Sequence, residues 1–284
     1  MGASSAENVI VISQGAEIHG VLREADQQKS RAVIFCHGAF EFKENWSTYA
    51  ELLTSEGYAT FTFDFTGHGE SQGLRSLVDL RVWAYNIRDI LNHLQRRGYQ
   101  RFGLVGWGSG GSAALLAAAH DQRVACAAIL SAPVYLVPNI GERAAYGLIS
   151  AVARVKKAIT GKPLTLSRLN ELSEMRIAAD ESANEQYLST PKVREQYSAV
   201  PIPDSLDSVW IDLTRAAARI KIPVVVIHGT DDQIVAANQS ERLFSILQGK
   251  KELKLIDGSG HALHLDVSKE TVFLQISDWL KIHL

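Results

Sequence analysis

Leu104-Val105-Gly106-Trp107-Gly108-Ser109-Gly110-Gly111 is the stretch on which the fold turns. Ahead of it, residues 102–105 form a short apolar run that reads as a strand. Behind it, 109–120 is rich in small residues and reads as a helix able to lie close on a sheet. A strand that enters a helix through so many glycines makes a sharp turn where close packing excludes a Cβ. The pattern resembles the turn G-x-S-x-G, whose central residue presents a nucleophile. Gly106 before the turn and Gly110 and Gly111 at the helix start set the frame, and in that frame the central residue is Gly108. Ser109 comes one residue late. Its backbone N–H is placed to meet an oxyanion, and its hydroxyl is expected to point into the helix.

Strands and helices alternate on both sides of this turn. Residues 9–13 and 18–23 read as strands split by Gln14-Gly15-Ala16. The β-branched run 32–36 reads as a strand buried on both faces, followed by the loop His37-Gly38-Ala39-Phe40. A helix is expected over 46–55, then a strand over 59–65 that closes in the glycine-rich loop 64–71. Leu80, Trp83, Ile87, Ile90, Leu91 and Leu94 line one face of a helix over 77–97. Further strands are expected at 125–130, 223–227 and 252–256, and further helices at 235–247 and 267–282. This rhythm predicts an α/β fold with a mainly parallel, eight-stranded sheet and helices on both faces. Residues 133–207 break it. They are polar and helical, with no convincing strand, and read as an insertion after the sixth element of the sheet. The expected organisation is therefore a core of 1–132 and 208–284 with a helical cap of 133–207.

Composition narrows the partners. The net charge of −2 and the absence of a basic block argue against nucleic acid. The apolar runs are too short or too interrupted to span a bilayer. Met1-Gly2-Ala3-Ser4-Ser5 lacks the regions of a signal peptide and hints only weakly at myristoylation, because position six is Ala6. Cys36 and Cys126 sit in apolar strands and read as free core thiols of a cytoplasmic protein. No metal-type spacing of Cys and His occurs, and no cofactor is expected. A small-molecule substrate is the expected partner; the oligomeric state is left open.

The remaining chemistry sits at strand ends. A serine-type site needs a base, an acid that orients it, and two N–H groups for an oxyanion. The strand 223–227 leads into His228-Gly229-Thr230-Asp231-Asp232, where Asp232 is the expected acid. The next strand ends in Ile256-Asp257-Gly258-Ser259-Gly260-His261, and His261 is the expected base. Ala39 is the expected second oxyanion donor beside Ser109, and Phe40 and Trp107 are candidate pocket walls. His19, His93, His120 and His283 read as packing residues, His264 as structural at the start of the last helix, and Asp231 as a turn residue. Cys36 lies inside a strand and is not taken as a nucleophile.

Together, His37-Gly38, the 64–71 loop, the turn at Gly108, the stretch 229–235 and the stretch 258–264 resemble the alpha/beta hydrolase superfamily. The resemblance is strongest to its esterase, feruloyl-esterase and monoacylglycerol-lipase-like branch, and it covers the chain from about residue 32 to the end. It implies cofactor-free acyl chemistry on a small or medium ester, thioester or related substrate, and a variable cap between the sixth and seventh strands. Gly108 departs from the pattern. Glycine there is compatible with natural loss of the nucleophile, with a replacement made to trap substrate, or with transfer of the role to Ser109 or a water. The corresponding functions are one-step hydrolysis, elimination or cyclisation through His261, an inactivated hydrolase, or a non-catalytic binding protein.

Overall fold

The computed structural model describes residues 6–25, 30–202 and 210–284. The readings of residues 1–5 and of the cap's end at 207 fall outside the described residues. Eight strands form the central sheet: β1 (Ala6–Ser13), β2 (Ala16–Arg23), β3 (Arg31–Cys36), β4 (Ala59–Phe63), β5 (Arg101–Trp107), β6 (Val124–Leu130), and, after four short strands, β11 (Val224–Gly229) and β12 (Lys251–Ile256). Their order is β1-β2-β4-β3-β5-β6-β11-β12. β2 runs antiparallel to both β1 and β4, and every other neighbouring pair is parallel.

Burial on both faces explains the near-continuous apolar strands. Along β3, Ala32, Ile34 and Cys36 join one core while Val33 and Phe35 join the other. β11 does the same, with Val224 and Val226 on one side and Val225 and Ile227 on the other. The helices are α1 (Ser47–Ser55), α2 (Leu80–Arg96), α3 (Gly108–Ala118), α4 (Ile140–Thr160), α5 (Leu169–Glu174), α6 (Glu181–Ser189), α7 (Pro191–Ser198), α8 (Thr214–Ala217), α9 (Asn238–Ile246) and α10 (Lys269–His283). α2 starts at Leu80, not 77, because the Asp79 side chain accepts from the N–H groups of Arg81 and Val82 and caps it.

The segment after β6 is helical through α4 to α7 but, contrary to expectation, it also holds strands. β7 (Tyr135–Leu136) pairs with β10 (Ile211–Asp212), and β8 (Leu164–Leu166) pairs with β9 (Val200–Ile202). Two- and three-residue strands carry too few positions for an alternating pattern to register, and Pro201 within β9 argues against a strand in sequence.

Candidate active site

The strand ends of β3, β5 and β11 and the loop after β12 meet at one edge of the sheet. At the β5–α3 turn, packing dictates three of the glycines. A Cβ on Gly106 would lie 2.7 Å from the Gly111 Cα, one on Gly110 would lie 2.0 Å from the His37 carbonyl oxygen, and one on Gly111 would lie 2.9 Å from the Gly106 carbonyl oxygen. Gly108 is different. Its φ of +54° is left-handed, the strained conformation of a nucleophile turn. A Cβ there would meet nothing closer than the His261 Nε2 at 3.5 Å and the Gly38 Cα at 3.8 Å, which is ordinary contact. The space for a side chain is kept, and it faces the ring nitrogen of His261.

His261 is held from two sides. Its Nδ1 lies 2.8 Å from the Asp232 Oδ2, and its backbone carbonyl accepts from the Trp107 Nε1 at 2.7 Å. Asp232 is itself fixed: Oδ1 accepts from the N–H groups of Ile234 and Val235, each at 2.8 Å. Burial would raise its carboxyl, but the hydrogen bonds from His228 and His261 outweigh burial and hold it well below the usual carboxylate range. Asp232 is therefore ionised and fixes His261 with Nδ1–H toward it and Nε2 as the acceptor facing Gly108.

His228 was not singled out from sequence. It lies at the end of β11, fully buried, with Nε2 3.0 Å from the Asp232 Oδ2 and 2.8 Å from the Val235 carbonyl, and with Nδ1 2.6 Å from the Ser240 Oγ. Two acceptors around Nε2 place the proton there, so the Ser240 hydroxyl donates to Nδ1. The visible signal was its position four residues before Asp232 at a strand end.

Ala39 and Ser109 both border a cavity of about 200 Å³, together with Gly108, His261, Phe40 and Trp107. The Ala39 N–H makes no hydrogen bond to a described residue, and neither does the Ser109 hydroxyl. Phe40 adopts φ +61°, an uncommon turn for a bulky residue, and is held by ring contact with Tyr197 at 4.4 Å between centroids. Beneath this loop lies Glu41, fully buried. Its carboxylate accepts from the Gly38 N–H at 3.2 Å and the Trp46 Nε1 at 3.3 Å, and bonds the His264 Nε2 at 2.6 Å. Burial works against ionising Glu41, but His264, together with His37 and the Asn45 amide, keeps it below its ordinary value.

His264 thus does not sit at the start of the last helix. α10 begins at Lys269, and His264 occupies the preceding turn, stacked on Trp46 with ring centroids 4.2 Å apart. It is structural, as expected, but as a partner of the buried Glu41. Asp231 forms part of a turn, its N–H donating to the Ser259 carbonyl at 2.9 Å. Cys36 and Cys126 are free and buried; burial pushes the Cys126 thiol up to about 12 and the Cys36 thiol higher, so neither is a nucleophile at neutral pH.

The loop after β11 adds Ile234 and Val235 to the cavity wall, and the segment after β6 adds Pro133, Leu136, Arg168, Met175, Ile177 and Tyr197. That segment is strapped to the histidine loop. Asp266 accepts from the N–H groups of Ala179, Asp180 and Gly260, and the Ala262 N–H donates to the Ile177 carbonyl at 2.6 Å.

The sequence profile of the Hydrolase_4 family, described as serine aminopeptidase, S33, matches residues 27–268. The chain belongs to this family. It is an enzyme of hydrolase ancestry with the alpha/beta hydrolase fold. Among curated relatives, an uncharacterised 31.7 kDa protein of the traX-finO intergenic region of Escherichia coli is 26% identical, over 90% of this chain and 92% of its own length. The monoglyceride lipase of Homo sapiens is 24% identical, over 88% of this chain and 82% of its own. Among solved structures, DcsB in complex with its substrate analogue superposes with a TM-score of 0.84 at 19% identity, over 99% of this chain and all of that one. Among the described residues, no helix is long and apolar enough to cross a membrane.

Proposed function

We propose that this hydrolase acts on a small or medium acyl ester or thioester in one step, with His261 and Asp232 as the base pair and a water molecule in the role that a serine hydroxyl holds elsewhere in the fold. The observation that carries this reading is the contact environment of Gly108: an unfilled Cβ position 3.5 Å from the acceptor nitrogen of an oriented histidine. A water there can attack the acyl carbon while His261 Nε2 takes its proton. The carbonyl oxygen becomes an oxyanion facing the N–H groups of Ala39 and Ser109. Collapse breaks the bond to the leaving oxygen or sulfur, which takes the proton back from His261. Products are the free acid and an alcohol or thiol. The similarity to monoglyceride lipases supports an ester as substrate.

The segment 133–207 would act as the cap, since it supplies six of the fourteen residues that line the cavity. The two buried free thiols suit a reducing, cytoplasmic setting. The test is hydrolysis of p-nitrophenyl butyrate by the purified protein. Turnover above the buffer rate that His261→Ala abolishes is the expected result. A rate equal in both proteins would remove His261 from the chemistry and favour a binding function.

A further inference from the structure

Away from His261 and Ser109, the cavity beside Gly108 is lined mostly by apolar side chains. Trp107 spends its only donor on the His261 carbonyl. Apart from His261 and Ser109, the lining side chains with unspent hydrogen-bonding capacity are Arg168 and Tyr197. Arg168 directs both Nε and Nη2 at a single oxygen of Glu171, Oε2, and its Nη1 bonds no described residue. That arrangement leaves part of a planar fork, one suited to carboxylates, unsatisfied. The Tyr197 hydroxyl also bonds no described residue and is not sealed from solvent, although the residue is only 4% exposed. The two residues are joined through the backbone: the Arg168 N–H donates to the Tyr197 carbonyl at 2.8 Å. Burial keeps the Tyr197 hydroxyl protonated, with the charge of Arg168 as the opposing influence, so it is available as a donor. Tyr197 in turn packs on Phe40, the residue after the oxyanion donor Ala39.

We propose that Arg168 and Tyr197 form a carboxylate-binding subsite of the cavity, so that the substrate is an acyl compound that also carries a free acid group. This rests on the acyl-transfer reading of the site and names its substrate class. An ordinary helix-surface pair, three residues apart, would explain Arg168 and Glu171 alone. It does not explain why this arginine and a tyrosine with an unspent hydroxyl line one cavity together, away from His261 and Ser109 among mostly apolar side chains. Glu171 partly neutralises Arg168, and so works against an anionic ligand. Its removal separates the two explanations.

The experiment is an NMR-detected titration of the intact protein with monomethyl glutarate and with dimethyl glutarate, which differ by one charge at similar size. The monoanion is expected to bind tenfold or more tightly than the diester, as a charge-assisted hydrogen bond allows. Arg168→Gln should abolish that preference, Tyr197→Phe should reduce it severalfold, and Glu171→Gln should strengthen it. Equal affinities, a preference that survives Arg168→Gln, or no binding of the monoester would each overturn the subsite. Hydrolysis assays of both esters with Gly108→Ser keep the two ideas apart. Hydrolysis without an acid preference sinks the subsite and leaves the acyl reading. An intact binding preference with neither ester ever hydrolysed sinks the acyl reading and leaves the subsite.

Discussion

Gly108 stands apart from the glycines around it because nothing but its backbone conformation asks for glycine. Gly106, Gly110 and Gly111 are forced by contacts of 2.9 Å or less, whereas a Cβ at 108 fits. Sequence identified the position through those three neighbours. It could not reveal the room above Gly108, since that depends on a histidine more than a hundred residues away. The pairing of Asp232 with His261 was legible from their places after strands. His228, although it stands at the end of β11 four residues before Asp232, was not, because that position alone does not say which carboxylate the ring meets. Asp232 holds two histidines, so Asp232→Asn should leave the fold and cut His261-dependent turnover by about 10³–10⁴, the loss expected when the ring is no longer held in its working tautomer. Ser109→Ala should leave the same turnover within a few-fold, because only the backbone N–H is used. Steady-state rates of both variants on the aryl ester check this; a collapse in Ser109→Ala would show that the hydroxyl had been recruited.

Among the elements, the segment after β6 and the histidine loop are joined through Asp266. Its Oδ2 accepts from the Ala179 and Gly260 N–H groups, and its Oδ1 from those of Asp180 and Val267. Burial would raise this carboxyl, but those four backbone donors keep it low. Asp266→Ala strands several backbone donors at a position only 1% exposed, and should cost about 2 kcal/mol or more in urea-induced unfolding. It should also raise KM, since Ile177 and His261 border the same cavity. Unchanged stability would show that the strap is incidental. The helical character of this segment was legible from composition and spacing. Its short strands were not, since β8 and β9 are held by pairing across 34 or more positions of sequence rather than by any local preference.

At the scale of the whole molecule, the mainly parallel sheet and the helices on both its faces were readable from the alternation of apolar strands and helices, while the strand order and the polar interior were not. His37 and His68 are fully buried, and burial depresses both. His37 must be neutral, because its Nε2 accepts from the Phe65 N–H at 2.9 Å. A depressed histidine binds its proton in the unfolded chain first. Stability is therefore fully present above about pH 6.5, the ordinary histidine value, and declines as pH falls below it. For His68, which lies well below its ordinary value, the loss at pH 5.5 should be about 1 kcal/mol relative to pH 7.5. Denaturant unfolding at the two pH values measures it, and His68→Gln should reduce the difference, leaving the part that His37 contributes.

The central proposal also belongs to this scale: the ends of β3, β5 and β11 and the loop after β12 bring His261, Asp232 and the backbone of Ala39 and Ser109 around the open position at Gly108, where we propose they act as base, acid and oxyanion donors. Gly108→Ser puts a hydroxyl into that position. Loss of the nucleophile alone costs a serine protease about 10⁶ in turnover, so its return to an intact frame should be readily seen. The measurement is intact-protein mass after exposure to a serine-directed fluorophosphonate. The account predicts a single stoichiometric adduct at residue 108 in Gly108→Ser, none in the parent protein, and none when His261→Ala is combined with it. A folded Gly108→Ser protein that takes up no adduct would contradict it.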